Sequence, residues 1–364
     1  MTDTQTTPVA EPTAPRAGRD SGRHGRAVLR IIIVRLLLLP PSLLAVATIS
    51  FLLLAMMPGD PAVSVAGGFA TPEALEAIRE SLGLNDPLPV RYWNYLVALV
   101  HGDMGTSFVS GAPVSQELVR YLPNTVMLVT CGIGLAAVLG IPLGILAAYY
   151  RGRPIDRAAR TWITLAQSVP LFIIGLLLIY VFYYLLHWAP SPVGILGFTD
   201  VDPPRVTGFV PIDAALVGAW SSFRSSLAHL VLPTLTLALV NLAFFGKITR
   251  GLMARELSST RTEFARVQGL RELTVVNYAF KAVRIPIVTY GMLIFAQILG
   301  SSTVVELIFA WPGVSRWGLE GVLALDIPVV QAFVLFAGVT TVVIYLLLDV
   351  IVALIDPRVR LSDH

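Results

Sequence analysis

The sequence predicts an all-α membrane protein with six transmembrane helices. Of its 364 residues, 55% are hydrophobic and only 13% are charged, which is about half the charge of a typical soluble domain. The charged residues are concentrated in short segments between long apolar stretches. Since a surface that faces lipid needs no charge, this distribution indicates a chain whose solvent is mostly lipid.

Six stretches between charges are long enough for a membrane-spanning helix, which needs about 20 apolar residues. The third stays uncharged as far as Thr199, but Pro190, Pro192 and Gly194 predict that its helix ends earlier. The predicted spans are residues 36–59, 121–150, 160–187, 225–246, 285–305 and 327–348.

The positions of the lysines and arginines predict that both termini are cytoplasmic. Of the 26 such residues, six precede residue 36, four lie in 151–160, eight in 247–284 and two in 358–360. The alternate segments hold the remaining six, so the positive-inside rule places the first set in the cytoplasm. Cations placed between apolar stretches serve membrane topology, and we therefore expect no binding of nucleic acid.

Residues 1–27 are rich in Thr, Pro, Ala and Arg and predict a disordered cytoplasmic tail. A signal peptide would have a shorter apolar region and a cleavage site of small residues. Residues 28–360 are predicted to form one membrane domain. Cys131 is the single cysteine, which excludes a disulfide or a cysteine metal cluster within these residues.

The first outer loop, residues 60–120, is long enough to contain structure of its own. Thr71 as N-cap and Pro72 at the first helical position predict one short helix. Residues 91–101 predict a second, amphipathic helix with Tyr and Trp residues suited to the lipid headgroups. This helix either stabilises the bundle at the membrane surface or binds an external partner, and both hypotheses can hold.

The cytoplasmic loop, residues 250–284, belongs to a segment with many more cations than acids. Gly269 divides it into two predicted short helices, the first with Phe264 and Val267 on one side and arginines around the rest. Such a helix lies along the membrane surface or projects into a cytoplasmic partner and transmits force.

The stretch Glu263-Phe264-Ala265, with Gly269 after three further residues, resembles the EAA loop of ATP-binding-cassette (ABC) importer permeases, and Ile285-Pro286 matches the end of that motif. Other motifs resemble the first permease subunit of the dipeptide and oligopeptide importers. They are MPGDP at 57–61, LGLNDPLPVRYW at 82–93, GDMGTS at 102–107, LPNT at 122–125, VVELIFAWPGV at 304–314 and DPRVR at 356–360.

This resemblance implies a type I ABC importer permease fold in a bacterial inner membrane, transporting di- and oligopeptides. Its partners would be a second homologous permease subunit in a heterodimer, two ATP-binding subunits and an extracytoplasmic solute-binding protein. Nickel, glutathione or another small solute is the alternative within the family. The loop 188–227 is longer than is usual there. The residues implied to couple the permease to the ATPase are Glu263, Phe264, Ala265, Arg266, Gly269 and Pro286.

Each coupling residue carries a physical expectation. Gly269 can adopt a positive φ and end the helix sharply, and Ala265 lets a neighbouring backbone approach. Glu263 pairs with an arginine of the ATPase or, locally, with Arg266. Pro286 suits the first turn of the fifth span, where its missing N–H costs nothing.

Four polar residues fall within or at the ends of predicted spans. Each either bonds a neighbouring helix, which we favour, or lines a translocation path. They are Asn124, Gln167, Asn241 and Gln297.

The sequence contains no G-x-x-x-x-G-K-[ST] phosphate-binding loop, so we expect ATP and Mg²⁺ to be bound by partner ATPase chains and no cofactor or metal by this one. No H-E-x-x-H motif and no nucleophile motif with triad partners occurs, and we predict no catalytic residue. A secondary transporter or channel is a distant alternative. An intramembrane enzyme would need a nucleophile with a base, or paired aspartates, at membrane depth, whereas Asp349 stands alone in the sixth span.

Overall fold

The computed structural model describes residues 20–56, 62–63, 71–81 and 83–355, and their regular secondary structure is helical. The helices are α1 Asp20–Ala55, α2 Pro72–Ser81, α3 Leu88–Val100, α4 Val114–Tyr149, α5 Pro154–Ser168, α6 Leu171–Leu178 with a π-helical continuation Ile179–Leu185, α7 Val210–Leu216, α8 Trp220–Leu257, α9 Thr260–Val267, α10 Glu272–Ser301, α11 Thr303–Ile308, α12 Val314–Leu323 and α13 Ile327–Ile355.

Four helices in this part of the chain, α4, α8, α10 and α13, are long and apolar enough to cross a membrane. The α5–α6 pair would make a fifth span if its two bent halves count as one. The apolar part of α1, Leu36–Leu52, has 17 residues, the lower limit for a spanning helix. The prediction of an all-α, multi-pass membrane protein is therefore confirmed.

The third predicted span, 160–187, is not one continuous helix. α5 ends at Ser168, α6 begins at Leu171, and the two are bent by 99°. Pro170 has no N–H to donate, and its ring disfavours helical geometry at the preceding residue. Val169 accordingly has extended backbone angles, φ −95° and ψ 125°. Pro170 thus divides the uncharged stretch well before Pro190.

The fifth span is predicted to begin at residue 285, which places Pro286 in the first turn of its helix. This placement is wrong, because α10 begins at Glu272 and Pro286 lies inside it. Residues 272–285 contain no Gly or Pro that would stop a helix, so the cytoplasmic segment and the span form one continuous helix.

The structure describes the two ends of the chain only in part. Residues 20–27, predicted as part of the disordered tail, belong to α1; no proline follows Pro15 before Pro40, so the stretch can join the helix although Gly22 and Gly25 lower its helix propensity. Residues 1–19 and the motifs at 57–61 and 356–360 lie outside the described residues.

The first helix of the predicted outer loop begins where the sequence predicts it, and the second begins slightly earlier. Thr71 accepts a hydrogen bond from the Ala74 amide to its Oγ1 at 3.3 Å, and Pro72 is the first residue of α2. α3 begins at Leu88, three residues before the predicted start, because Pro89 fits the first helical turn.

α3 packs against the outer half of α1 through aromatic residues. The hydroxyls of Tyr92 and Thr48 lie 2.6 Å apart, and the ring of Tyr92 is 5.3 Å from that of Phe51. The outward side of α3 leaves Trp93 and Val100 largely exposed. This arrangement fits an amphipathic helix at the membrane surface.

Small residues bring α4 and α8 close together at the centre of the fold. A Cβ at Gly140 would lie 2.7 Å from the carbonyl oxygen of Leu242, and a Cβ at Gly144 would lie 2.7 Å from the Cβ of Thr249. Glycine at these positions therefore permits backbone approach that any larger residue would prevent.

We expect Gly144→Val to destabilise the protein by about 1–3 kcal/mol, because the added methyls cannot fit between α4 and α8. Thermal unfolding of the purified protein in detergent measures the change. Gly134→Val is the matched control, since Gly134 is on the same helix and an added Cβ meets nothing within 4 Å. Equal unfolding temperatures for the two variants would contradict this account of the packing.

At the end of α8 that precedes α9, in the segment predicted to be cytoplasmic, an ion pair joins α5 to α8. Arg250 donates from Nε to Asp156 Oδ1 at 2.6 Å and from Nη2 to Oδ2 at 3.1 Å. Asp156 is buried and also accepts from the Gly152 amide at 2.9 Å. This bidentate pair fixes the cytoplasmic end of α8, which leads directly into α9.

Candidate functional site

The cytoplasmic helix α9 is attached to the end of α8 by side-chain capping. The Ser259 hydroxyl accepts a hydrogen bond from the Thr262 amide at 3.3 Å, which satisfies one of the free N–H groups at the helix start. Thr262, fully buried, donates from its hydroxyl to the carbonyl oxygen of Glu256 at 2.8 Å. The position of α9 relative to α8 is therefore fixed by its own sequence.

Arg266 holds α9 from the other side. Its Nη1 donates to the carbonyl oxygen of Leu257 at 3.0 Å, and its Nε lies 3.2 Å from Glu272 Oε1. Arg266 thus connects the end of α8 to the start of α10. The local alternative for Glu263, a pair with Arg266, does not occur in the structure; Glu263 is exposed on α9.

Gly269 ends the α9 turn in the left-handed conformation that the sequence predicts, with φ +74°. Its amide donates to the carbonyl oxygen of Arg266 at 2.9 Å, and the amide of Leu270 donates to the carbonyl oxygen of Ala265 at 3.3 Å. These bonds satisfy carbonyls that the helix end would otherwise leave free. Ala265 is buried, so this side of α9 faces the protein.

The opposite side of α9 presents apolar side chains to solvent. Phe264 is 63% exposed and Val267 79% exposed, and Leu273 at the start of α10 is 86% exposed. Exposed large apolar residues grouped on a charged element mark a surface suited to contact with a protein partner or with the membrane surface. We name Phe264 and Val267 the α9 apolar face.

Pro286 is not part of this surface. It lies 14 residues beyond Glu272 on α10, which is about 21 Å along the helix. The structure therefore brings Glu263, Phe264, Ala265, Arg266 and Gly269 together and leaves Pro286 apart.

The four polar residues of the spans do not converge. Asn241 donates to the carbonyl oxygen of Leu237 in its own helix at 2.7 Å, and Gln297 is exposed on α10. Gln167 is half-buried beside the α5–α6 bend, and its Nε2 has no hydrogen-bond partner among the described residues. Asn124 alone among the four bonds a distant segment, and that segment is a loop and not a neighbouring helix; a role of these residues in a translocation path stays a prediction.

Asn124, near the outer end of α4, holds the loop between α11 and α12. Its side-chain Nδ2 donates to the carbonyl oxygen of Pro312 at 2.7 Å. Its main-chain carbonyl oxygen accepts from Trp311 Nε1 at 3.0 Å. The Oδ1 of Asn124 is buried without a partner in the described part of the chain. Ala310 in the same loop has φ +50°, a left-handed backbone rare for alanine.

A polar cavity of about 380 Å³ opens beside Asn124, at the outer ends of the helices. The sequence analysis did not anticipate it, because its charged residues come from α4 and from the long loop 188–227. Neither segment alone shows a pattern that indicates a site. Its polar wall consists of Arg120, Tyr121, Asn124, Asp200, Asp202 and Arg205.

The predicted loop 188–227 contains the helix α7 and the start of α8, which begins at Trp220 and not at the predicted residue 225. Two carboxylates order this segment. Asp200 accepts hydrogen bonds from the Ser225 hydroxyl and from the Gly197 amide, and these bonds lower its pKa below the usual value. Burial opposes ionisation of Asp213, but bonds from the amide and hydroxyl of Thr207, both at 2.7 Å, leave its pKa lowered as well. Both groups are therefore ionised at neutral pH.

Glu306, on α11, forms a buried network that sequence analysis also missed. Its Oε1 accepts from the Thr125 hydroxyl at 2.8 Å and from the Ser302 hydroxyl at 3.2 Å, and its Oε2 accepts from the Arg316 amide at 2.7 Å. Thr125 in turn accepts from the Val314 amide at 2.8 Å. The carboxylate thus joins α4, α11 and α12. Glu306 lies in the motif at 304–314, but the motif alone does not show which residues Glu306 bonds.

This helical arrangement defines an integral, multi-pass membrane protein. Residues 140–361 match the family model described as binding-protein-dependent transport system inner membrane component, and residues 28–129 match the model of its N-terminal part. The chain belongs to this family of inner-membrane permeases.

Individual relatives match nearly the whole chain. It is 38% identical over 315 residues to the probable D,D-dipeptide transport system permease protein DdpB of Escherichia coli, covering 86% of this chain and 92% of that protein. It is 33% identical to the dipeptide transport system permease protein DppB of Escherichia coli and 35% identical to the glutathione transport system permease protein GsiC of Pectobacterium atrosepticum. Each of these last two matches covers 92% of this chain and 99% of the relative.

Proposed function

We propose that this chain is a permease subunit of an ABC importer that translocates di- and oligopeptides delivered by an extracytoplasmic binding protein. The observation that carries the proposal is the similarity to two dipeptide permeases, which extends over 86% and 92% of the chain. Similarity of this extent covers the spans, the outer loops and the cytoplasmic loop together, and not a shared membrane helix alone.

The α9 apolar face supports docking of an ATP-binding subunit. α9 is fixed to α8 and α10 by Thr262 and Arg266, so a force applied to it passes into both helices. Phe264 and Val267 are exposed for contact with the partner. Closure of two ATPases on ATP binding would then move α8 and α10 and switch the pore between outward-open and inward-open states. ATP and Mg²⁺ would be bound by those partner chains.

The complete assembly in this proposal has a second, homologous permease subunit, two ATP-binding subunits and the binding protein. Each permease subunit would have six spans, with the α5–α6 pair as one broken span and the apolar part of α1 as another. The excess of lysine and arginine in 151–160 and 247–284 supports a cytoplasmic location of those segments and of both termini.

Glutathione is the second candidate solute. The 35% identity to a glutathione permease favours it, and glutathione is itself a tripeptide with free carboxylates. Uptake of labelled dialanine against labelled glutathione by the complete importer separates the two.

We expect the isolated chain to show no ATPase activity and the reconstituted importer to hydrolyse ATP faster when peptide-loaded binding protein is added. The measurement is phosphate release from purified chain and from the complete complex in lipid nanodiscs, with unloaded binding protein as control. Turnover by the isolated chain, or a complex insensitive to loaded binding protein, would contradict the proposed function.

A further inference from the structure

We propose that the polar outer cavity binds the charged termini of a short peptide on its way into the membrane. This inference rests on the function proposed above and names a site for its solute in this subunit. The cavity volume of about 380 Å³ lies within the range of small-molecule binding sites.

The cavity offers charges of both signs, as a zwitterion requires. Arg120 and Arg205 supply guanidinium groups, and Asp202 supplies a carboxylate. None of these three forms a salt bridge with another of the described residues, so their charges remain available to a ligand. Arg205 donates only to the carbonyl oxygen of Arg120, at 3.4 Å. A peptide carboxylate fits the arginines, and a peptide ammonium fits the aspartate side.

The wall of the cavity also carries an unused acceptor. The Nδ2 of Asn124 is committed to Pro312, which fixes the orientation of the amide, and its Oδ1 has no partner although the side chain is buried. A buried acceptor without a partner is costly. Because this oxygen is closed to solvent in the structure, the N–H of a bound peptide would reach it only after a small shift of the cavity wall.

The backbone around the cavity is built to hold this shape. Gly194 lies so near the Ala310 carbonyl that a Cβ there would be 3.3 Å from its oxygen, and the φ of Gly194 is +114°. Ala310 itself keeps the left-handed backbone described above. A strained residue in a wall held by the Asn124 bonds is typical of a binding site, where the surroundings maintain a fixed geometry.

Binding of radiolabelled dialanine to the complete complex in nanodiscs, without binding protein, tests the proposal. We expect saturable binding that is about tenfold weaker for dialanine amide and for N-acetyl-dialanine, because each loses one charge-assisted interaction. Arg205→Gln should weaken dialanine binding about tenfold and leave the amide unchanged, and Asp202→Asn should do the same for the acetylated peptide. Arg224→Gln, an exposed outer cation away from the cavity, is the control and should bind as the wild type.

Absence of saturable dialanine binding to the wild type, equal binding of the blocked peptides, or unchanged binding by both cavity variants would overturn the cavity proposal. Uptake with binding protein is measured in parallel on the same wild-type complex. If it imports dialanine while the cavity variants bind normally, the cavity proposal fails and the proposed function stands. If it imports no peptide, the proposed function fails.

Discussion

Replacing Phe264 or Val267 by aspartate should lower solute uptake by the importer at least tenfold while leaving the permease folded and inserted. Both side chains are largely exposed in the isolated chain, where a polar substitution changes stability by less than about 0.5 kcal/mol. In a docked interface, the same aspartate would be buried without a partner and the apolar contact would be lost. The substitutions should therefore weaken assembly of the complex and leave the stability of the isolated subunit unchanged.

The measurement is uptake by whole cells together with the amount of ATPase subunit that co-purifies with the permease. Ile155→Asp is a matched control, because Ile155 is also an exposed apolar residue, with 48% exposure, in a segment predicted to be cytoplasmic, but lies at the start of α5. Wild-type uptake and full ATPase recovery in both α9 variants would show that α9 is only an interfacial helix.

Glu306→Ala should destabilise the protein by about 3–5 kcal/mol, since it removes the acceptor of three buried donors and leaves a cavity between α4, α11 and α12. Glu306→Gln should cost less, about 1–3 kcal/mol. It keeps the shape but turns an NH₂ group toward donors that need an acceptor. Thermal unfolding of the purified complex measures both.

Glu320→Gln serves as the control for this network. Glu320 lies on α12 and pairs with Arg316 at 2.7 Å, but its side chain is 56% exposed, so the loss should stay within about 1 kcal/mol. If Glu306→Ala unfolded at the same temperature as Glu320→Gln, the carboxylate would not hold the three helices together.

Several local features of the fold were predictable because they depend on neighbours in the sequence. Long apolar stretches indicated the spanning helices, Thr71 and Pro72 indicated the start of α2, and Gly269 indicated the left-handed turn after α9. Burial in lipid, capping and backbone freedom act over a few residues, so the order of amino acids reports them directly.

Other predictions also depended on neighbouring residues but were wrong, because two signals in the sequence competed. The absence of charge from 160 to 187 favoured a single span, yet Pro170 introduced a 99° bend. Residues 272–284 are predicted as a short helix separate from the fifth span because they carry charge, although nothing in them interrupts a helix. Hydropathy reports where lipid begins, whereas helix ends depend on backbone hydrogen bonds, and the two boundaries need not coincide.

The sequence by itself determined the class of protein, the long apolar helices α4, α8, α10 and α13, and the grouping of Phe264 with Val267 on one side of α9. Only the tertiary structure decided which polar residues meet. Asp156 bonds Arg250 across 94 positions, Thr125 bonds Glu306 across 181, and Asn124 bonds Pro312 across 188. The outer cavity likewise combines α4 with the loop 188–227. These pairings depend on how the helices pack in three dimensions. No pattern of neighbouring residues shows which distant residues come into contact.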